Sequence, residues 1–261
     1  MEIKGRVVVV TGGASGIGAA MARRFASEGA ERVIVCDIDG GAARSVASRI
    51  DGDAFTLDVA DEGATVEVLG EVEAEYGRID VLCLNAGIPK GGSVDATNED
   101  WQRTWDVNVM AHVYATRHAL PGMLDRGEGY ILTTASAAGL LTNIGAAPYS
   151  VTKHAAVALA EWISVTYGSR GIRVSCLCPM FVSTPMLDAF SGHTDAMRDW
   201  VEGLAIDVDD VADSVIAGIR EETFLILPHP AVRDYFQHKA LDYDRWIAGM
   251  QSLNDQVTRA E

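Results

Sequence analysis

Short runs of β-branched residues recur along this chain, and longer stretches with helical spacing separate them. That alternation constrains the fold more than any other feature. Strands joined through helices pair in parallel by crossing over, which builds a doubly wound α/β sheet. Strands are expected at residues 6–11, 32–37, 53–57, 79–84, 130–134, 172–178 and 224–227. Helices are expected between them, among them 17–28, 64–76, 101–123 and 149–168, with Gly29, Gly77 and Gly168 as C-terminal stops. With no Pro/Ser-rich linker and no repeat, residues 1–261 read as one domain. Two segments stand outside the alternation. Residues 185–205 follow the sixth strand, where such folds place a loop over the ligand crevice. Residues 228–261 form a helical tail rich in Tyr, Phe and Trp, read as packing on the body or on a neighbouring subunit.

Composition narrows the class of partner. At 261 residues and 48% hydrophobic content the chain can bury a large core. Its formal net charge of -16 repels phosphate backbones and anionic lipid surfaces, so neither nucleic acid nor membrane is expected as a partner. The opening residues lead straight into the strand-like run Val7-Val8-Val9-Val10, and no apolar run reaches membrane-spanning length, so a cytoplasmic location is expected. Cys36, Cys83, Cys176 and Cys178 all sit in or beside apolar, β-branched runs and read as buried free thiols. Cys176 and Cys178 would share a strand face, but nothing nearby completes a ligand set, and no metal is expected.

The first strand runs into Thr11-Gly12-Gly13-Ala14-Ser15-Gly16-Ile17-Gly18 and then a helix. A glycine-rich turn at a helix N-terminus lets backbone N–H groups and the helix dipole meet a pyrophosphate. The second strand ends in Asp37, about 20 residues beyond the glycines. A carboxylate there accepts hydrogen bonds from both adenosine ribose hydroxyls and repels a 2′-phosphate. A basic residue that would welcome that phosphate is missing at Ser15 and at Ile38, and Arg44 sits a turn into the next helix. The expected cofactor is therefore NAD rather than NADP. A role for Asp37 as a mere cap of the next helix is the weaker reading, because Asp39 is available for that task.

Further along come Asp58-Val59 after the third strand, Asn85-Ala86-Gly87 after the fourth, Asn108 in a long helix, Ser136 past the fifth strand, and Tyr149-Ser150-Val151-Thr152-Lys153. Taken with the turn at 11–18, in this order and at strand ends, these pieces make the chain resemble the short, core type of the short-chain dehydrogenase/reductase family across nearly its whole length. The last group also has a physical reading of its own. Tyr149 and Lys153 are four apart on a helix and project from one face. A phenol of pKa near 10 is a poor base at neutral pH. A nearby ammonium and a positive nicotinamide ring are expected to lower it.

The resemblance implies roles. Tyr149 would exchange a proton with the substrate oxygen, Ser136 would orient that oxygen, and Lys153 would also hold the nicotinamide ribose. Asn108 would help seat the lysine and a water that relays the proton. Gly12, Ser15, Gly16, Ile17 and Gly18 would cradle the phosphates, Asp37 and Ile38 would meet the ribose, and Asp58 and Val59 the adenine. Asn85, Ala86 and Gly87 would line the adenosine side. After the sixth strand, Pro179, Val182 and Thr184 match positions that contact the nicotinamide carboxamide and phosphates. Met180 departs from the pattern, standing where the family usually has glycine. Family members commonly pair their long helices, which implies a homotetramer, or a dimer as second choice.

The substrate pocket is expected to be apolar, walled by Ile88, Ala137, Ala138, Ile144, Met180 and Phe181, with Met186, Leu187, Phe190, Met197 and Trp200 from segment 185–205. The only cations of that segment are His193 and Arg198, too few for a phosphorylated or carrier-linked substrate. A neutral, mostly hydrophobic secondary alcohol or ketone is expected, of alicyclic, aryl or steroid-like kind. Two other functions compete: a dinucleotide-binding redox sensor without catalysis, and a ketone reductase working in the biosynthetic direction. A sensor typically loses part of the catalytic set, and here Asn108, Ser136, Tyr149 and Lys153 all remain.

Overall fold

A computed structural model describes residues 1–189, 201 and 203–258. All seven expected strands form: β1 (Val7–Thr11), β2 (Arg32–Asp37), β3 (Asp53–Thr56), β4 (Val81–Leu84), β5 (Gly129–Thr134), β6 (Ile172–Leu177) and β7 (Leu225–Ile226). They make one parallel sheet in the order β3-β2-β1-β4-β5-β6-β7. The chain winds outward from β1 to β3, then returns across β1 to start β4. A crevice therefore opens at the carboxyl ends of β1 and β4, where the helices leave in opposite directions.

Both sheet faces are covered, and the run of four valines shows how. Val7 and Val9 point into a layer with Leu69 and Val72 of α3 (Glu62–Tyr76), Ala115 and Met123 of α5 (Ala111–Arg126), and Ala156 and Ile163 of α6 (Ala147–Tyr167). Val8 and Val10 point the other way. They meet Met21 and Phe25 of α1 (Gly16–Ser27), Ala43 and Ala47 of α2 (Gly40–Arg49), and Val215 and Ile219 of α8 (Val208–Glu221). A strand buried on both faces has no polar alternation to display. Each of these valines is fully buried, worth about 1.5–3 kcal/mol apiece in transfer free energy.

Two of the expected helices carry local detail beyond their periodicity. The stretch expected as one helix at 101–123 is α4 (Asn98–Trp105), a π-turn at Asp106–Met110, and then α5. The π-turn inserts one extra residue, which the apolar periodicity of the sequence does not register. Gly168 closes α6 as its C-cap but keeps right-handed helical dihedrals, and a 3₁₀ turn (Gly168–Arg170) carries the chain on to Gly171. Gly171 has φ +88°, and a Cβ there would lie 1.8 Å from the Gly127 carbonyl oxygen, so only glycine fits this stop. Gly29 and Gly77 do take the left-handed conformation beyond α1 and α3.

Segment 185–205 begins as a short helix, α7 (Pro185–Ala189). The tail is two helices, α9 (Ala231–Leu241) and α10 (Tyr243–Thr258), hinged at Asp242. Among the described residues no helix is long and apolar enough to cross a membrane.

Candidate active site

A cleft of about 1650 Å³ runs along the carboxyl edge of the sheet, from Ile38 and Asp58 at one end to Ser136, Tyr149 and the tail at the other. Gly12, Ser15, Gly16, Ile17 and Gly18 line its floor where β1 turns into α1. Their glycines are required by contact. A Cβ on Gly18 would sit 2.0 Å from the Gly12 carbonyl oxygen, and one on Gly12, at φ +64°, would sit 2.8 Å from Ala86 Cα. Ser15 is the N-cap of α1 but makes no side-chain cap bond, so the first turn keeps its N–H groups for a ligand. This cradle fits an anionic pyrophosphate.

Asp37 reaches the cleft from the end of β2. Its carboxylate accepts from Ala14 N and Asp39 N, both at 3.0 Å, and so ties the glycine turn to the second strand. Capping of α2 falls to Asp39, which accepts from Gly41 N and Ala42 N. A carboxylate has about four acceptor sites, so Asp37 retains capacity for ribose hydroxyls. Ile38 beside it is 64% exposed and lines the cleft, whereas Arg44 does not. Asp58 and Val59 also line this end, with Asp58 ion-paired to Arg103 at 3.1 Å.

Asn85 joins the two ends. Its Nδ2 donates to the Thr11 and Gly12 carbonyls at 3.1 Å, and its Oδ1 accepts from Thr134 Oγ1 at 3.1 Å. The Thr134 carbonyl in turn accepts from Lys153 Nζ at 2.9 Å. Lys153 lies one turn after Tyr149 on α6, its Nζ 5.6 Å from the phenol ring centre. Ser136 caps a 3₁₀ turn (Ala137–Gly139) by accepting from Ala138 N, and it hydrogen-bonds Tyr149. Gly139 lets that turn rest on α6, since a Cβ there would lie 2.5 Å from the Lys153 carbonyl oxygen. Asn108 sits in the π-turn and clamps Ile88, accepting from its N at 2.8 Å and donating to its O at 3.1 Å. It also donates to Thr152 Oγ1, beside the lysine. Gly87 leaves the space between them open: a Cβ there would be 3.2 Å from both Asn108 Oδ1 and Lys153 Nζ.

Burial dominates the electrostatics. It pushes the Tyr149 phenol above 10, with the Ser136 hydrogen bond opposing, and it draws Lys153 down to about 8. His112, one turn beyond Asn108, is drawn down to about 3 by burial and by Lys153, so it adds no charge to the site near neutral pH.

Pro179, Val182 and Thr184 line the cleft, as do Ala86, Gly87, and the pocket residues Ile88, Ala137, Ala138, Ile144, Met180, Phe181, Met186 and Leu187. Phe190, His193, Met197, Arg198 and Trp200 lie outside the described residues. Sequence reasoning missed two contributors. Tyr235, Leu241, Trp246, Met250 and Leu253 bring the tail into the same cleft. His229, buried beneath the 179–184 segment, accepts from Met180 N on Nδ1 at 3.2 Å and donates from Nε2 to the Phe181 carbonyl at 2.9 Å. It fixes the backbone at the one position where the chain departs from the family motif. No local pattern announces it, because its partners are 48 and 49 residues away.

Relatives agree with this geometry. A family model described as short chain dehydrogenase matches residues 6–194. The meso-2,3-butanediol dehydrogenase of Serratia marcescens is 38% identical over 203 residues, covering 76% of this chain and 79% of that protein. The mitochondrial borneol dehydrogenase of Lavandula x intermedia is 31% identical over 243 residues, covering 89% and 90%. A solved short chain dehydrogenase/reductase from Burkholderia phymatum, in complex with NAD, superposes with a TM-score of 0.82 at 28% identity, covering 94% of this chain and 96% of that one. The chain belongs to the short-chain dehydrogenase/reductase family, and it is a nicotinamide-dependent oxidoreductase at the level that family defines.

The two buried histidines give a pH dependence. Burial holds the folded-state pKa of both His112 and His229 below the 6.5 of an open imidazole. The unfolded chain therefore binds more protons as pH falls, and the stability present above pH 6.5 is lost below it. The thermal midpoint should fall as pH drops from 6.5 to 5, before most carboxylates titrate. Melting scans across pH 7.5 to 5 check this, and a flat midpoint would show that neither ring is held neutral.

Proposed function

We propose that the chain is an NAD-dependent dehydrogenase of a mostly hydrophobic, neutral secondary alcohol, of alicyclic, aryl or steroid-like kind, working in the cytoplasm. One observation carries this reading. Ser136, Tyr149 and Lys153 converge at one end of a cleft whose other end offers Asp37 beside a bare Ile38. The nearest lining cation at that end, Arg103, is engaged by Asp58. The apolar pocket residues support the substrate class.

In this mechanism Gly12, Ser15, Gly16, Ile17 and Gly18 hold the pyrophosphate, Asp37 and Ile38 the adenosine ribose, and Asp58 and Val59 the adenine. Asn85, Ala86 and Gly87 line the adenosine side, while Pro179, Val182 and Thr184 receive the carboxamide and phosphates. The bound nicotinamide supplies hydride exchange and, when oxidised, a positive ring charge. Ser136 orients the substrate oxygen. Tyr149, as phenolate, would take the alcohol proton on Oη, and the carbinol hydride would go to the oxidised nicotinamide, leaving the ketone. Lys153 holds the nicotinamide ribose and favours the phenolate by its charge. Asn108 positions Lys153 through Thr152, the residue before it on α6.

The test is a panel of secondary alcohols with NAD or NADP at equal concentration, followed by absorbance of the reduced cofactor. Turnover of alicyclic or aryl alcohols is expected, with a preference for NAD of at least about a hundredfold in kcat/KM, because a 2′-phosphate would face Asp37 without a compensating cation. Equal efficiencies would mean that Asp37 does not meet the ribose.

We further propose that the enzyme is a homotetramer. The outer face of α6 leaves Val151, Trp162 and Val165 at 47%, 58% and 86% exposure, an apolar stripe that a second copy would cover. Light scattering at micromolar concentration should give four chains; a monomer would overturn this, and a dimer would limit pairing to one interface.

A further inference from the structure

The tail that walls the cleft is held on by very little. α9 buries only Val232 and Lys239, and none of the described side chains of α10 is fully buried. Lys239 is 7% exposed, an unusual position for a lysine. Its Nζ donates to the Leu140 carbonyl at 2.6 Å and stands 4.7 Å from the Trp246 ring centre and 5.4 Å from that of Tyr243. Those two rings are the first-turn aromatics of α10 and lie 5.8 Å apart. Leu140 directly follows the 3₁₀ turn that Ser136 caps. One ammonium therefore connects α9, α10 and the serine segment.

We propose that Lys239 is a positioning residue that pins the two tail helices to the serine segment and so builds the outer wall of the substrate pocket, selecting a bulky apolar alcohol. The inference rests on reading the cleft as an alcohol site. A cation–π contact gains strength where the ammonium is desolvated, and the carbonyl takes one of its three donors. Docked in this way, α10 presents Trp246, Met250 and Leu253 to the same cleft that Ile144, Met186 and Tyr149 line. A large alicyclic skeleton would touch both walls. A small acyclic alcohol would reach Ser136 and Tyr149 without the tail.

Lys239→Met keeps most of the stem and removes the charge and its hydrogen bond. With a bicyclic terpenoid secondary alcohol, KM is expected to rise at least about tenfold, a loss of apolar contact of the size a pocket wall provides. With 2-butanol, kcat/KM should stay within about twofold, as should the affinity for NADH. Hydrogen exchange followed by mass spectrometry should speed up in residues 240–256 and stay unchanged in α6. Unchanged exchange in the tail would overturn the pin. Faster tail exchange with an unchanged KM for the bulky alcohol would overturn the wall. An equal loss on both alcohols would place the effect on Ser136 and overturn size selection. If the wild-type enzyme turned over neither alcohol, the proposed function would fail, and the exchange data would still decide whether Lys239 pins the tail.

Discussion

At the carboxyl ends of β1, β4 and β5 the sheet ladder stops, and the side chain of Asn85 takes over its hydrogen bonding. It joins the carbonyls of Thr11 and Gly12 to Thr134, whose own carbonyl holds Lys153. The Thr11 hydroxyl completes the joint by accepting from Asn85 N and Ala86 N. The rest of the site depends on this relay. It holds the crevice at the switch point open, sets the glycine turn against the fourth strand, and aims the lysine from the far side. Buried networks of this kind are costly when one member is left unpaired, so they fix a single arrangement.

A second constraint is desolvation. The fold buries a lysine and a tyrosine together, and burial moves each towards its neutral form, Lys153 down to about 8 and Tyr149 above 10. Both groups thereby become sensitive to any charge placed beside them, because a low-dielectric site screens little. Keeping His112 neutral leaves Lys153 as the charge that matters there. Gly87 and Gly139 serve the same end by geometry, one leaving space at the lysine and the other letting the serine turn rest on α6.

Much of this could be read from residue order. The seven strands announce themselves as β-branched runs, the crevice follows from their alternation with helices, and Tyr149 and Lys153 share a face by their spacing of four. The remainder depends on long-range contacts that leave no local pattern. The π-turn around Asn108 interrupts the α-helical bonding over five residues of an otherwise continuous helix. Gly168 closes α6 as expected, but the close approach of Gly127 that requires glycine at Gly171 leaves no local pattern. His229 and Lys239 act on backbone atoms 48 to 99 residues away. The aromatic tail was legible as a packing element, but its place over the cleft was not, because the contact that ties it there runs from Lys239 to the Leu140 carbonyl 99 residues away.

The central claim is that the phenol of Tyr149 moves the proton in a cleft built to hold a dinucleotide beside it. Replacing Tyr149 by Phe removes that oxygen and almost no volume, so the measurement is turnover of the best alcohol alongside binding of NADH. The account predicts a fall in kcat of at least about a hundredfold, the lower range for general acid–base catalysis, with NADH affinity unchanged. Near-normal turnover in the Tyr149→Phe enzyme would contradict it.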